Sequence, residues 1–179
     1  MKIGFDLDKV LIDYPPFIPD TLIDKLYRKK ANGTLEYRIP STPERWLRKL
    51  SHLPPLRRPI AKNLLFLKEL ARKNNRLYLI SSRFQFLEPE TTRLLKKHGL
   101  DRLFSGMYFN YHNKQPHEFK EQVLKKLRLD MYVDDDFYLL NYVAKKQSSA
   151  KLFWLTDRPN AKSPNPKIHA IHTLSEMTT

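Results

Sequence analysis

The chain has 179 residues, 41% of them apolar, no cysteine, and 33 Lys and Arg against 19 Asp and Glu, giving a formal net charge of +14. That length suits one α/β domain carrying a small insertion, and the missing cysteines exclude a disulfide framework or a thiolate metal site. No run reaches the ~18 apolar residues of a membrane span, and the first residues enter a strand pattern without a secretory leader, so a cytoplasmic protein with no membrane partner is expected.

The chain opens on an apolar strand over residues 2–7 that delivers Asp6 and Asp8, with apolar residues resuming at Val10, Leu11 and Ile12. On a strand, residues i and i+2 point to the same side. Two carboxylates so placed are costly unless a cation or a shared proton compensates them. Residues 14–59 differ in character, with Pro15, Pro16, Pro19, Pro40, Pro43, Pro54, Pro55 and Pro59 among many basic residues. Within them, Leu22, Ile23 and Leu26 predict a helix over Asp20–Lys30, Asn32-Gly33 a turn, and Ser41-Thr-Pro-Glu44 the capped start of a helix continued by Leu47 and Leu50. This stretch reads as a small, mostly helical insertion.

Strands and helices then alternate. The periodicity predicts a helix over Pro59–Lys73, a strand over Leu77–Ile80 ending at Ser81-Ser82-Arg83, and a helix over Pro89–His98 stopped by Gly99. A strand over Met107–Asn110, a helix over Pro116–Leu129 and a strand over Met131–Val133 running into Asp134-Asp135-Asp136 follow. The remainder reads as a helix over Phe137–Lys146, a strand over Leu152–Leu155 and an edge strand over Ile168–Ile171. Such alternation predicts a doubly wound, mainly parallel sheet, in which ligands bind beyond the carboxyl ends of the strands. Asp6, Asp8, Ser81 and the 134–136 aspartates all fall there. Taken singly, each has an ordinary role: Ser81 as a turn cap, Arg83, Lys114 and Lys120 as solvated charges, the aspartates as helix caps. Three acids in a row exceed what capping needs.

The ordered set resembles the haloacid dehalogenase (HAD) superfamily of phosphohydrolases: DxD after the first strand, an apolar run plus Ser, a Lys heading a helix, and an apolar run plus paired Asp. The resemblance implies a Rossmann-like HAD core of residues 1–13 and 60–179, with residues 14–59 as the cap. It implies Asp6 as the nucleophile that forms an aspartyl-phosphate, Asp8 as general acid and then base, and Ser81 as a phosphoryl hydrogen-bond donor. A lysine would neutralise the phosphate; Lys120 is the better match and Lys114 the alternative. Mg²⁺ would be held by Asp6, the backbone carbonyl of Asp8, and Asp135, with Asp134 second; Asp136 is expected to cap a helix. Lys9 stands where the family usually has glycine, which permits unusual backbone angles, and it could instead contact substrate. Ser81-Ser82-Arg83 resembles the family's T-x-R form, so Ser82 and Arg83 are candidate substrate contacts, with Arg83 serving either substrate or structure. In the cap, Tyr37, Arg38, Arg45, Trp46 and Arg48 supply aromatic and cationic groups, with Trp46 read first as cap core and second as a stacking surface. The expected activity is Mg²⁺-dependent hydrolysis of a small phosphorylated metabolite or nucleotide. The +14 charge keeps two alternatives: a phosphatase of nucleic-acid ends, and a non-catalytic nucleic-acid binder on this fold.

Overall fold

The computed structural model describes residues 1–15, 28–31, 34–38, 40–146 and 149–178. In chain order the elements are β1 (Lys2–Phe5), β2 (Arg28–Ala31), β3 (Thr34–Tyr37), α1 (Thr42–Ser51), α2 (Ala61–Arg72) and β4 (Arg76–Phe84). After them come α3 (Glu88–Lys97), β5 (Gly106–Asn110), α4 (Pro116–Leu127), β6 (Met131–Asp134), α5 (Phe137–Lys145), β7 (Lys151–Leu155) and β8 (Ile168–Ile171). Six strands form one sheet in the order β5-β4-β1-β6-β7-β8, and every pairing in it is parallel.

Period-2 alternation divides the sheet residues between two cores. Ile3, Phe5, Leu79, Val133 and Phe153 face one cluster, completed by Leu67 and Leu70 of α2 and Leu94 of α3. Ile80, Tyr132, Leu152 and Ile168 face the other, completed by Val123 and Leu124 of α4 and Leu139, Leu140 and Val143 of α5. Burying each such side chain contributes about 1.5–3 kcal/mol, which anchors β1 and β6 rigidly beneath the site. Gly4 points into the second cluster, where an added Cβ would lie 2.5 Å from Leu129 Cδ1 and 2.9 Å from Tyr132 Cδ2. Its missing side chain is what lets Tyr132 pack over β1.

The strand order reverses at β1, so the ligand crevice of such a sheet opens beyond the carboxyl ends of β1 and its neighbours. The expected edge position of Ile168–Ile171 holds. The second strand is longer than expected: β4 runs through Ser81, Ser82 and Arg83 to Phe84, with its register to β5 shifting between Ser81 and Phe84. Ser81 therefore sits inside an irregular strand end and not beyond it. Among the described residues no helix is long and apolar enough to cross a membrane.

In the insertion, β2 and β3 form an antiparallel hairpin followed by α1. The expected end of the helix over Asp20–Lys30 is corrected here, because Arg28–Lys30 pair as strand; the rest of that helix lies outside the described residues. The start of α1 is as expected. The Glu44 carboxylate accepts from Ser41 N at 2.7 Å and Ser41 Oγ at 2.9 Å, and it also pairs with Arg38 at 2.6 Å.

Candidate active site

The floor of the crevice is a buried charge network. Asp6 leaves β1 with its N–H donating to Val133 O at 3.0 Å. From α4, Lys120 Nζ donates to Asp6 Oδ1 at 2.7 Å and to Asp134 Oδ2 at 2.6 Å. Tyr132 Oη donates to the same Asp134 oxygen at 2.6 Å, and Asp136 N to Asp134 Oδ1 at 3.0 Å. Asp6, Lys120 and Asp134 are all buried. Burial pushes the Asp6 carboxyl up to about 7; the neighbouring Asp134 and Asp8 add to this and Lys120 opposes it. Burial works against the Lys120 charge, but Asp134 and Asp6 outweigh it and hold its ammonium well above the usual range.

Asp6, Asp134 and Asp135 each offer an oxygen within 4.8 Å of the others. Enclosure, then the charges of Asp134, Asp6 and Asp136, drive the Asp135 carboxyl well up. An all-oxygen set in which Asp6 and Asp135 are pushed toward protonation fits a hard divalent cation such as Mg²⁺. Asp136 caps α5, its Oδ1 accepting from Tyr138 N at 3.0 Å and Leu139 N at 3.2 Å.

Asp8 sits in a different environment. Arg83 grips it with two bonds, Nε to Oδ2 at 2.9 Å and Nη2 to Oδ1 at 2.7 Å, while its Nη1 donates to Thr91 Oγ1 at 3.1 Å. Arg57 Nη2 reaches Asp8 Oδ1 at 3.2 Å. Burial alone would raise the Asp8 carboxyl, but the two guanidinium charges outweigh it and hold it far below the usual carboxylate range. Lys9 takes a left-handed backbone, φ 62°, so the turn does require the angles that glycine would supply. Its ammonium lies 3.5 Å from Asp13 and over the Tyr14 ring.

Between floor and insertion lies a cavity of about 120 Å³. Core residues Asp6, Asp8, Ser81, Ser82, Arg83, Lys120, Asp134 and Asp135 line it together with Tyr14, Tyr37, Arg38, Arg48, His52 and Arg57 from the insertion and its connections. Ser82 Oγ is sealed from solvent with no hydrogen-bond partner. Four expected contacts are not brought to the cavity. Lys114 is exposed and donates to Gln122 Oε1 at 2.8 Å, because it precedes α4 while Lys120 lies on that helix's buried face. Lys9 is turned to Asp13. Arg45 donates to Pro40 O and lies over the Phe86 ring. Trp46 is 63% exposed, so it is neither cap core nor cavity wall; Arg48, two positions on, occupies the inward face of α1. Arg83, expected at substrate or in a structural role, is committed to Asp8 and Thr91.

Sequence reasoning missed His52 and Arg57. Both look like solvated polar residues in a Pro-rich run, and only their burial, 2% exposed each, reveals them. The role of Tyr132 was also hidden, its phenol being indistinguishable in sequence from ordinary strand core.

A parallel sheet of this order, with acids converging beyond β1 and β6, defines the class as a doubly wound Rossmann-like α/β protein. More particularly, it is the haloacid dehalogenase-like fold. A haloacid dehalogenase-like hydrolase from Bacteroides fragilis superposes with a TM-score of 0.67 at 16% identity, covering 98% of each chain. A HAD-superfamily hydrolase from Ehrlichia chaffeensis superposes with a TM-score of 0.60 at 12% identity, covering 98% of this chain and 93% of that one. A HAD-hydrolase from Bacillus subtilis, solved bound to magnesium, superposes with a TM-score of 0.53 at 14% identity over 74% of this chain and 58% of that one. No family model and no curated protein matches the sequence.

Proposed function

We propose that the protein is a Mg²⁺-dependent phosphomonoesterase that acts in the cytoplasm on a small phosphorylated metabolite through an aspartyl-phosphate on Asp6. The observation that carries this reading is the Asp6–Lys120–Asp134 network beside Asp135 at the carboxyl ends of β1 and β6. The hydrolase descriptions of the superposed structures support it, and the volume of the cavity, about 120 Å³, favours a small compound over a nucleic-acid end. Residues 14–59 act as the cap, and the remainder as the catalytic core.

Asp6 attacks phosphorus; an Asp6 oxygen–phosphorus bond forms as the bond to the leaving oxygen breaks. Lys120 orients the nucleophile and offsets phosphate charge. Ser81 and Ser82 line the cavity and would donate to phosphoryl oxygens, which would give the unpartnered Ser82 Oγ a bond. Asp6, Asp135 and the backbone carbonyl of Asp8 would hold Mg²⁺, since the Asp134 carboxylate is already engaged by Lys120, Tyr132 and the Asp136 amide. When bound, the ion supplies positive charge against the phosphoryl oxygens. Asp8, held ionised by Arg83 and Arg57, is set to take a proton from the water that hydrolyses the aspartyl-phosphate. Its role as acid toward the leaving oxygen requires that it first take up a proton from solvent, which both Arg83 and Arg57 oppose, so their grip has to loosen when substrate binds.

Phosphate release from a panel of phosphomonoesters, with Mg²⁺ or EDTA, tests the reading for wild type and Asp6→Asn. Release that needs both Mg²⁺ and Asp6 is the expected result. Release that persists in Asp6→Asn would remove the nucleophile assignment, and none from any compound by folded wild type would overturn the activity itself.

A further inference from the structure

Two guanidiniums meet one carboxylate at Asp8, and they reach it from different parts of the molecule. Arg83 already satisfies both Asp8 oxygens with the fork geometry that makes Arg–carboxylate pairs strong, and it comes from the rigid core strand β4. Arg57 adds a single, longer contact of 3.2 Å to an oxygen that Arg83 already holds. Its Nε is buried without a hydrogen bond, an arrangement that normally counts against a side chain. Arg57 adds to the charge that holds Asp8 ionised, but that contact alone leaves most of its guanidinium unaccounted for.

The other partners of Arg57 account for most of the group. Its Nη1 donates to the Asp13 carbonyl at 3.2 Å, where the chain leaves the core for the insertion. Its guanidinium lies 4.9 Å from the centre of the Tyr14 ring, one residue further out. Its Nη2 donates to His52 Nε2 at 2.8 Å, at the end of α1 on the returning path. Arginine only donates, so His52 Nε2 accepts, and its Nδ1–H donates to Arg48 O at 2.7 Å. That chain leads to Arg48, on the cavity wall. Around it the two connections pair by backbone, Asp13 N to Arg58 O at 2.8 Å and Ile60 N to Leu11 O at 2.9 Å. Arg57 is thus where both hinge strands of the insertion meet the Asp8 carboxylate.

We propose that Arg57, held by His52, is a positioning residue that ties the orientation of the Asp8 carboxylate to the seating of the insertion over the cavity. Arg83 grips both Asp8 oxygens from the core; Arg57 adds the contact that depends on where the insertion sits. When the insertion lifts, Asp13, Tyr14 and His52 shift with the hinge, and the third contact on Asp8 goes with them. The role of Asp8 in turnover rests on the phosphatase reading, whereas the mechanical coupling does not.

The test uses the full chain as wild type, Arg57→Met, Arg57→Lys and His52→Gln, all normalised to folded protein by near-UV circular dichroism. With the best small phosphate ester and Mg²⁺, Arg57→Met should lower kcat about ten- to hundredfold with KM little changed, the loss that misplacement of a catalytic group by about 1 Å produces. Arg57→Lys should recover part of it, and His52→Gln should fall between. Independently of turnover, amide exchange at Asp13 and Ile60 should quicken in Arg57→Met. An unchanged kcat per folded molecule, or a rise in KM alone, would overturn the proposal; the latter would make Arg57 a substrate contact. If wild type releases no phosphate, the phosphatase reading fails and the exchange measurement still decides the coupling: unchanged protection at Asp13 and Ile60 would sink it. Should Arg57→Met not fold, Arg57→Lys and His52→Gln carry the same readouts.

Discussion

The floor and the roof of the cavity are built in opposite ways. On the floor, Asp6, Asp134 and Asp135 emerge from adjacent parallel strands, and one helix delivers Lys120 between two of them. Each side chain is placed by an element whose own core holds it. In the roof, Tyr37 leaves a two-stranded hairpin, Arg48 comes from a ten-residue helix, and His52 and Arg57 lie in the return loop. A two-stranded hairpin is marginal alone, so the roof depends on its attachments to the core, where Tyr37 packs into the apolar cluster of α4 and α5 and makes hydrogen bonds. Tyr37 Oη donates to Asp136 Oδ2 at 2.6 Å, and the Gln115 side chain accepts from Tyr37 N at 2.9 Å and donates to Tyr37 O at 3.3 Å. The difference teaches that a floor of buried charges is held by preorganised elements, whereas a roof over a cavity can be held by attachments that release one at a time.

The comparison breaks most visibly at Lys120. Lys120→Met leaves the buried Asp6 and Asp134 facing each other without a cation, and loss of one partner of a buried ion pair costs about 3–5 kcal/mol. Urea unfolding should report that loss, and phosphate release should fall to background. A small change in stability would mean that the floor is less tightly coupled than its geometry implies.

In the roof, His52 supplies a pH-dependent contribution. Burial, then the charges of Arg57 and Arg83, hold its imidazole well below the usual value of 6.5. Folded His52 therefore stays neutral where the unfolded chain takes a proton. Its contribution to stability is full above pH 6.5 and is lost as pH falls from there toward the folded value. The slope from one such group is at most about 1.4 kcal/mol per pH unit. Denaturant titrations between pH 7 and 5 should show a shallower acid decline in His52→Gln than in wild type; equal slopes would rule out a neutral, buried His52.

The smallest effect is expected at the latch. Tyr37→Phe removes the bond to Asp136 and should cost about 1 kcal/mol. That loss should fall on the roof, so amide exchange at Tyr37 should quicken while the amides of β1 and β6 keep their protection. Equal loosening of both would mean that floor and roof unfold as one unit.

Much of the floor was legible because the features that encode it are local. A strand that ends in DxD, a serine after an apolar run, a helix with Lys120 on its apolar face and the 134–136 aspartates are each written in a few adjacent residues, and parallel-sheet topology forces their ends together. The six strands of the sheet followed from short apolar runs between helical periods for the same reason. Even the departure at Lys9 announced a left-handed turn. What composition and spacing could not determine was which of many cations is used. Among 33 Lys and Arg, nothing local separates Arg57 from Arg58, or Arg48 from Arg45. The capture of Arg83 by Asp8, the outward turn of Trp46 and the burial of His52 were decided only when separate segments of the chain packed together. Long side chains reach several ångströms from their backbones, so the partner of each depends on where other segments come to rest, and that is a property of the tertiary structure alone.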